Sequence, residues 1–488
     1  MAVEAVVVGD QRNRGTVDAH NPVPPPVSES VASTNLGNSD DGAAERVASS
    51  IEKQLSMLSR DSRNYGTVCI YRVPDKYRNQ NQEAYTPRLV SIGLIHYGQS
   101  ALQGMQEYKL KYLHDFLHTF RVSLKEVAKY VHSQEKMVCD CYEDIYMNNV
   151  SKESKEPSEV ILLDGVFMIE LFLKNHFLGM REKGDIIFDN PLLANDVSHD
   201  LLLFENQLPL RFLTTLFDTF VSRNVRKYLD NDAINPPSFN ELAQKYFKNV
   251  GNTGKLALTS DFSHARHLIE FLSILHTQGK YRASGVRKEV GKKKRKDFSR
   301  CPTVTELKAA GVKFRHGTKD CLLNVKFDQE KGILTIPQLT VTDSTETFFR
   351  NLVAFEQSGY HSKDITSYII FLDNLVDTHK DVDLLIKYKI ITNELGGSHE
   401  VANLFNNLYK EFVKDPREFL YVDQCRQLND YSRNYWHKGK ATFARWYAVF
   451  KRDYIATPWS VMSLIAAILL LALTIAQTVL SALQLKQS

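Results

Sequence analysis

The sequence predicts a mostly α-helical, multi-helix globular body with a small β-hairpin element and one C-terminal transmembrane helix. Three observations carry that prediction. Apolar residues recur at helical spacing over several long stretches, the first running from Leu102 to Phe120. Strand-forming residues are confined to two short runs, with no alternation of strands and helices. The last apolar run, Val461 to Leu483, holds no ionisable residue and stops five residues before the C-terminus.

Length sets the frame for the elements. A chain of 488 residues exceeds one ordinary core, so two or three units are expected ahead of the final helix. A net charge of +4 is small for that length and argues against a nucleic-acid partner. Residues 1–48 are rich in Ser, Asn, Asp, Gly and Pro, including Pro24-Pro25-Pro26, and read as a disordered tail. Residues 67–290 form the first helical part of the body. Within it, Tyr71 to His96 carries Pro74, Pro87 and Gly93 and reads as irregular chain over the core. Leu102, Met105, Tyr108, Tyr112, Leu113, Phe116, Leu117 and Phe120 then mark a long amphipathic helix. Val160 to Phe177 is largely apolar and reads as a central helix; Leu201 to Phe217 is a further one, bent or broken at Pro209. Phe262 to His276 follows. A basic linker, residues 291–300, contains Lys292-Lys293-Lys294-Arg295-Lys296 and separates residues 301–455. There Leu322–Phe327 and Gly332–Ile336 flank Asp328–Lys331 as a β-hairpin. Asp343 with Glu346 reads as a capping box ahead of a helix through Phe355.

The final run closes the series. As a helix it would reach roughly 34 Å, enough to cross a bilayer with a modest tilt. Thr457 can cap it, Pro458 suits its first position and Trp459 suits the lipid–water interface. Arg445, Lys451 and Arg452 precede the run, and Lys486 alone follows it. With no signal-peptide pattern at the start, these features predict a tail-anchored, single-pass membrane protein whose large part faces the cytosol. The six cysteines are scattered and read as reduced thiols. The sequon Asn149-Val-Ser151 would carry a glycan only under the opposite topology.

Several ordered motifs resemble a known family. Tyr71-Arg72-Val73-Pro74, Ala84-Tyr85-Thr86-Pro87 and Val90-Ser91-Ile92-Gly93 resemble the opening of the plant domain-of-unknown-function 247 family, also called UPF0481. Leu162-Leu163-Asp164-Gly165 with Glu170-Leu171 is similar to its central helix, and Asp200 through Pro209 (DLLLFENQLP) to its most recognisable motif. Ala310 through Phe314, Thr345-Glu346, Arg350-Asn351, Phe355-Glu356-Gln357 and Pro458-Trp459 continue the order, so the resemblance covers roughly residues 67–485. Two departures stand out. Gly93 is followed by Leu94, Ile95 and His96 rather than the family's usual proline, and the segment between Asp189 and Asp200 is short and lacks a Trp. The resemblance implies a plant membrane protein. Some grass members are implicated as pollen-side determinants of self-incompatibility, which implies recognition and signalling rather than catalysis.

The candidate chemistry lies in carboxylates and histidines. Asp164 sits among Ile161, Leu162, Leu163, Val166 and Phe167, where an unpaired charge would cost several kcal/mol. Asp196 and Asp200 share one helical face, and Glu205, Asn206 and Gln207 follow. Asp164, Asp200 and Glu205 are therefore the candidate catalytic residues of a metal-dependent hydrolase. The alternative is a buried polar network in which Asp164, Glu170 and Glu205 tie helix ends and a partner Arg. His264, His267 and Glu270 could bind zinc or be ordinary core and surface residues; their first and last members diverge by about 120° around a helix, and no fourth ligand is evident. The basic run 292–296 reads as a solvated linker or as a contact for acidic headgroups. In the anchor, Ser463, Ala467, Thr474, Gln477 and Ser481 fall roughly on one stripe suited to helix association and a homodimer. No cofactor motif occurs: phosphate loops and the nucleophile elbow are both missing. The leading expectation is a non-enzymatic recognition or signalling protein at a lipid bilayer, with the hydrolase as the alternative and the protein partner unspecified.

Overall fold

The computed structural model describes residues 38–60, 67–143, 156–222, 236–248, 264–283, 300–318, 321–359, 362–408, 418–434 and 458–487, with a few isolated positions besides. The chain divides into two compact units, residues 1–63 and 64–488. The described part of the first is one helix, α1 (Asn38–Arg60). Ala, Glu, Lys, Gln and Leu, all strong helix formers, make up half of it from Ala43 onward; residues 1–37 of the expected tail lie outside the described residues.

The second unit opens with irregular chain. Residues 67–103 contain only α2 (Asp75–Arg78) and two short 3₁₀ turns, as its proline and glycine content predicts. Helices α3 (Gly104–Phe120) and α4 (Leu124–Cys139) follow, the second started by a reciprocal Ser123–Glu126 capping box. Then comes α5 (Pro157–His176), buried on every face from Val160 to Lys174. A helix apolar all round must be enclosed. It is: α3, α4, α8 (Leu210–Phe220) and α9 (Phe239–Tyr246) pack around it. Gly165 permits the close approach of α8, since a Cβ there would lie 2.8 Å from the ring of Phe212 on that helix. Between α5 and α8 run α6 (Ile186–Asp189) and α7 (Pro191–Leu201). The stretch Leu201 to Phe217, expected as a helix bent or broken at Pro209, is instead a tight loop after the end of α7 at Leu201, followed by α8, whose N-cap position is Pro209.

The second half packs directly onto the first. Helix α10 (Leu268–Ala283) lies against α12 (Thr345–Gln357), with the His276 ring edge-on to Phe348 at 5.0 Å. Around α12 sit α13 (Asp364–Leu375) and α15 (Ser398–Leu408), while α14 (His379–Lys387) joins α11 (Val304–Ala309) to α15. The expected hairpin is present: β2 (Lys326–Asp328) pairs antiparallel with β3 (Ile333–Ile336). β1 (Lys313–His316) adds in parallel on the other side of β3, and β4 (Leu339–Val341) pairs in parallel with β5 (Ile391–Asn393). Helix α16 (Val422–Arg433) covers β2. The capping box expected at Asp343 does not form. Helix α12 begins without a side-chain cap, and Glu346 instead accepts from Asn81 at 2.9 Å and Arg350 at 2.7 Å.

Helix α17 (Pro458–Gln487) begins at the expected proline. Among the described residues, however, no helix is long and apolar enough to cross a membrane. The transmembrane helix in the expected fold class and the single-pass membrane placement are thereby corrected. The body itself is mostly helical with small sheet elements.

Candidate functional site

The loop between α7 and α8 is the polar centre of the molecule. Asp200, Glu205, Asn206 and Gln207 are each at most 2% exposed, so every polar atom they carry needs a partner inside the protein. Those partners come chiefly from the irregular segment 73–93. Asp200 accepts three successive backbone N–H groups, from Arg88 (2.8 Å), Leu89 (2.7 Å) and Val90 (2.8 Å). Its Oδ1 also lies 3.0 Å from Nδ1 of His199, whose Nε2 meets Thr347 at 3.1 Å. Asn206 accepts from the Ile92 N–H at 2.6 Å and donates to the carbonyls of Val90 and Asp200. Gln207 donates to the carbonyls of Leu201 and Leu203, closing the loop on itself.

Glu205 and Asp164 anchor the two ends of the segment. Glu205 accepts from the Val73 N–H at 2.6 Å and from Arg78 at 2.5 Å, and lies 3.1 Å from Nε2 of His96. Burial alone would raise its pKa, but the hydrogen bond from His96 and the Arg78 charge outweigh burial and hold the carboxyl below its usual range. Asp164, on α5, accepts from the Gly93 N–H at 2.8 Å and from Lys109 of α3 at 2.5 Å. Burial pushes its pKa up against the opposing pull of Lys109. Lys109 is fully buried and also donates to the Ser91 carbonyl at 2.6 Å. At Gly93 the backbone has φ +75°, and a Cβ would collide with the Tyr142 hydroxyl and the Gln207 carbonyl, so glycine is required there. Asn351 of α12 joins the halves by accepting from Phe204 N–H at 2.9 Å and donating to the Ala84 carbonyl at 2.7 Å.

The candidate carboxylates are thus linked through segment 73–93, each held by its own donors, and they do not line an open cleft together. Asp196, though on α7 with Asp200, is partly exposed and faces Arg88 at 3.5 Å. Among the described residues no group of three or more His, Cys, Asp or Glu side chains could hold a metal ion. The expected histidine trio does not share a helix, because α10 starts only at Leu268. His264 is exposed ahead of it; His267 is buried against Phe204 and Phe355, with Nδ1 accepting the Glu270 N–H. Glu270 is engaged by Arg266 at 2.8 Å. In α17, Ser463, Ala467, Thr474 and Gln477 are exposed, and Thr474 donates back to the Leu470 carbonyl. Asn149 and Lys292–Lys296 lie outside the described residues, as do the side chains of Trp459, Val461, Ser481 and Leu483.

A second polar cluster borders a cleft of about 250 Å³ between α3, the end of α5 and the start of α6. Lys174 pairs with Asp115 (2.7 Å) and Asp185 (3.2 Å) and lies 4.1 Å from the Tyr112 ring centre. Tyr112 donates to Asp185 at 3.0 Å. One turn earlier on α5, Glu170 is 1% exposed and neither carboxyl oxygen has a hydrogen-bond partner. Burial pushes its pKa up to about 8, so it carries a proton at neutral pH. Sequence reasoning singled out Glu170 but missed the two buried lysines. Both were legible: Lys109 interrupts the apolar face between Met105 and Tyr112, and Lys174 follows Glu170 by one turn in a helix with no other basic residue until His176.

These features define a class: a mostly helical body whose irregular N-terminal segment is sewn to a buried DLLLFENQLP loop. The comparisons with known proteins agree. The profile of the DUF247 family, described as plant protein of unknown function, matches residues 70–473. The chain belongs to that family. The UPF0481 protein At3g47200 of Arabidopsis thaliana is 30% identical over 444 residues, covering 86% of this chain and 88% of that protein. A second Arabidopsis thaliana UPF0481 protein, At3g02645, is 23% identical over 488 residues, covering 83% and 89%. No solved structure matches the chain.

Proposed function

We propose that this chain is a non-enzymatic recognition protein, a rigid helical body that presents its surface to a protein partner in signalling. The observation that supports this reading most is the state of Asp164, Asp200 and Glu205. They are 1%, 0% and 2% exposed, and backbone N–H groups together with Lys109, Arg78 and His96 engage them. Carboxylates held this way fix a fold; a substrate or hydrated metal would have to displace several hydrogen bonds to reach them. Function then resides on the surface rather than in the polar centre.

Two measurements test it. The purified chain is assayed for phosphoester, carboxyl-ester and peptide hydrolysis with Mg²⁺, Mn²⁺ and Zn²⁺, beside Asp200→Asn. The expected result is no turnover in either protein, with the variant destabilised by about 2–4 kcal/mol through its lost acceptor. Metal-dependent turnover that Asp200→Asn abolishes without loss of folding would overturn the reading. Proximity labelling in plant cells, followed by titration of purified candidates, is expected to yield a saturable protein complex.

A further inference from the structure

Two pairs of thiols from distant parts of the chain meet in the body. The Cys69 and Cys141 thiols influence each other's ionisation, as do those of Cys301 and Cys425, and the Cys141 thiol donates to the Met137 carbonyl at 3.3 Å. All four are free. At the first pair the backbone itself enforces the meeting. Ile70 and Tyr142 form a parallel β-bridge, and the Cys69 and Ile70 N–H groups both donate to the Cys141 carbonyl at 2.9 Å. Residues one position back from a parallel bridge sit side by side with Cα atoms about 5 Å apart, inside the range a disulfide spans. The two members differ in access: Cys69 is 2% exposed, whereas Cys141 is only half-buried at the turn that ends α4.

We infer that Cys141 and Cys69 form a redox-sensitive modification site, in which Cys141 reacts first with a low-molecular-weight disulfide such as glutathione disulfide and Cys69 resolves the adduct. The Cys141 thiolate attacks one sulfur of glutathione disulfide, forming a Cys141–glutathione mixed disulfide and releasing one glutathione thiolate. The Cys69 thiol loses its proton, its sulfur attacks Cys141, and the second glutathione leaves. The protein loses two thiols and gains one S–S bond; one glutathione disulfide becomes two glutathione thiols, which take up the protons. The division of roles follows the environment. The neighbouring Cys69, with the Arg266 charge assisting, holds the Cys141 thiol below its ordinary pKa against burial and the Asp140 charge, while Cys69 is pushed up. Cys301 and Cys425 are 1% and 2% exposed, so neither member offers an oxidant an entry.

The product would matter mechanically. Cys69 stands four residues before Val73, the first donor of the segment that ties Glu205, Asp200 and Asp164. A Cys69–Cys141 bond would staple the start of that segment to the end of α4. The test is a time course of the reduced full chain in glutathione buffers of graded ratio, trapped by alkylation and read by peptide mass spectrometry. Expected first is a glutathione adduct on Cys141, then a Cys69–Cys141 cross-linked peptide, with Cys301 and Cys425 still alkylated as free thiols. In Cys69→Ser the Cys141 adduct should persist on the order of tenfold longer. The oxidised wild-type chain should unfold several degrees higher. Cys69 and Cys141 remaining alkylatable under excess glutathione disulfide would sink the proposal, as would an adduct appearing first on Cys69. Both readouts come from the wild-type protein and stand even if the variant fails to fold.

Discussion

Glu170 is the residue whose environment conflicts most with its chemistry. Its carboxyl is enclosed in α5, lacks hydrogen-bond partners and has its pKa pushed from 4.5 up to about 8, chiefly by burial. A raised pKa in the folded state means that folding takes up a proton. The stabilising contribution is complete below pH about 4.5 and is lost as pH rises toward 8. Glu356, buried and bonded to the N–H groups of Ile365 and Thr366, acts in the same direction up to about 7. Glu205 and Asp381, held below their usual range, act oppositely and lose their contributions as pH falls. We therefore expect Glu170→Gln to gain stability relative to the wild type as pH is raised from 5 to 9, by on the order of 4 kcal/mol at most. Urea midpoints across that range check it; a constant difference between the two proteins would show that Glu170 does not titrate in the window.

At the scale of elements, the central helix sets the tolerances. Gly165 lets α5 approach α8 so closely that an added methyl group would meet the Phe212 ring, which is itself fully buried and cannot swing away. Gly165→Ala is expected to lower stability by about 1–3 kcal/mol despite alanine's better helix propensity. An unchanged or raised melting temperature would show that the interface relaxes. Local capping signals behave according to what competes for them. Ser123 with Glu126, Ser238 with Glu241 and Thr303 with Glu306 close reciprocal boxes at three helix starts. Glu346 has the same spacing from Asp343 but is drawn away by Asn81 and Arg350, partners from elsewhere in the fold and from its own helix. A three-residue pattern cannot reveal a competitor 265 residues away.

At the scale of the whole molecule, segment 73–93 acts as a strap. Its N–H groups satisfy Glu205, Asp200, Asn206 and Asp164, while Ala84 and Asn81 reach the second half through Asn351 and Glu346. Removing residues 64–93 would leave several buried carboxyl groups without donors, each costing several kcal/mol. A chain beginning at residue 94 is therefore expected to lose cooperative folding, whereas one beginning at residue 64 retains it. Hydrogen exchange would distinguish the two: protected α5 amides in the shorter chain would contradict the strap's role.

The sequence by itself determined the helical character, the enclosed central helix, the β2–β3 hairpin and the family, because these rest on local periodicity, turn chemistry and ordered motifs. It also marked Asp164, Asp200 and Glu205 as groups that could not stay unpaired in apolar surroundings. Only the tertiary structure decided what pairs them. Their donors are backbone N–H groups, which every residue but proline carries and which no side-chain pattern advertises. The same holds for Cys69 and Cys141, which are 72 positions apart and become neighbours only through one β-bridge. It also decided against the membrane-spanning reading of the final run: among the described residues no helix is long and apolar enough to cross a membrane.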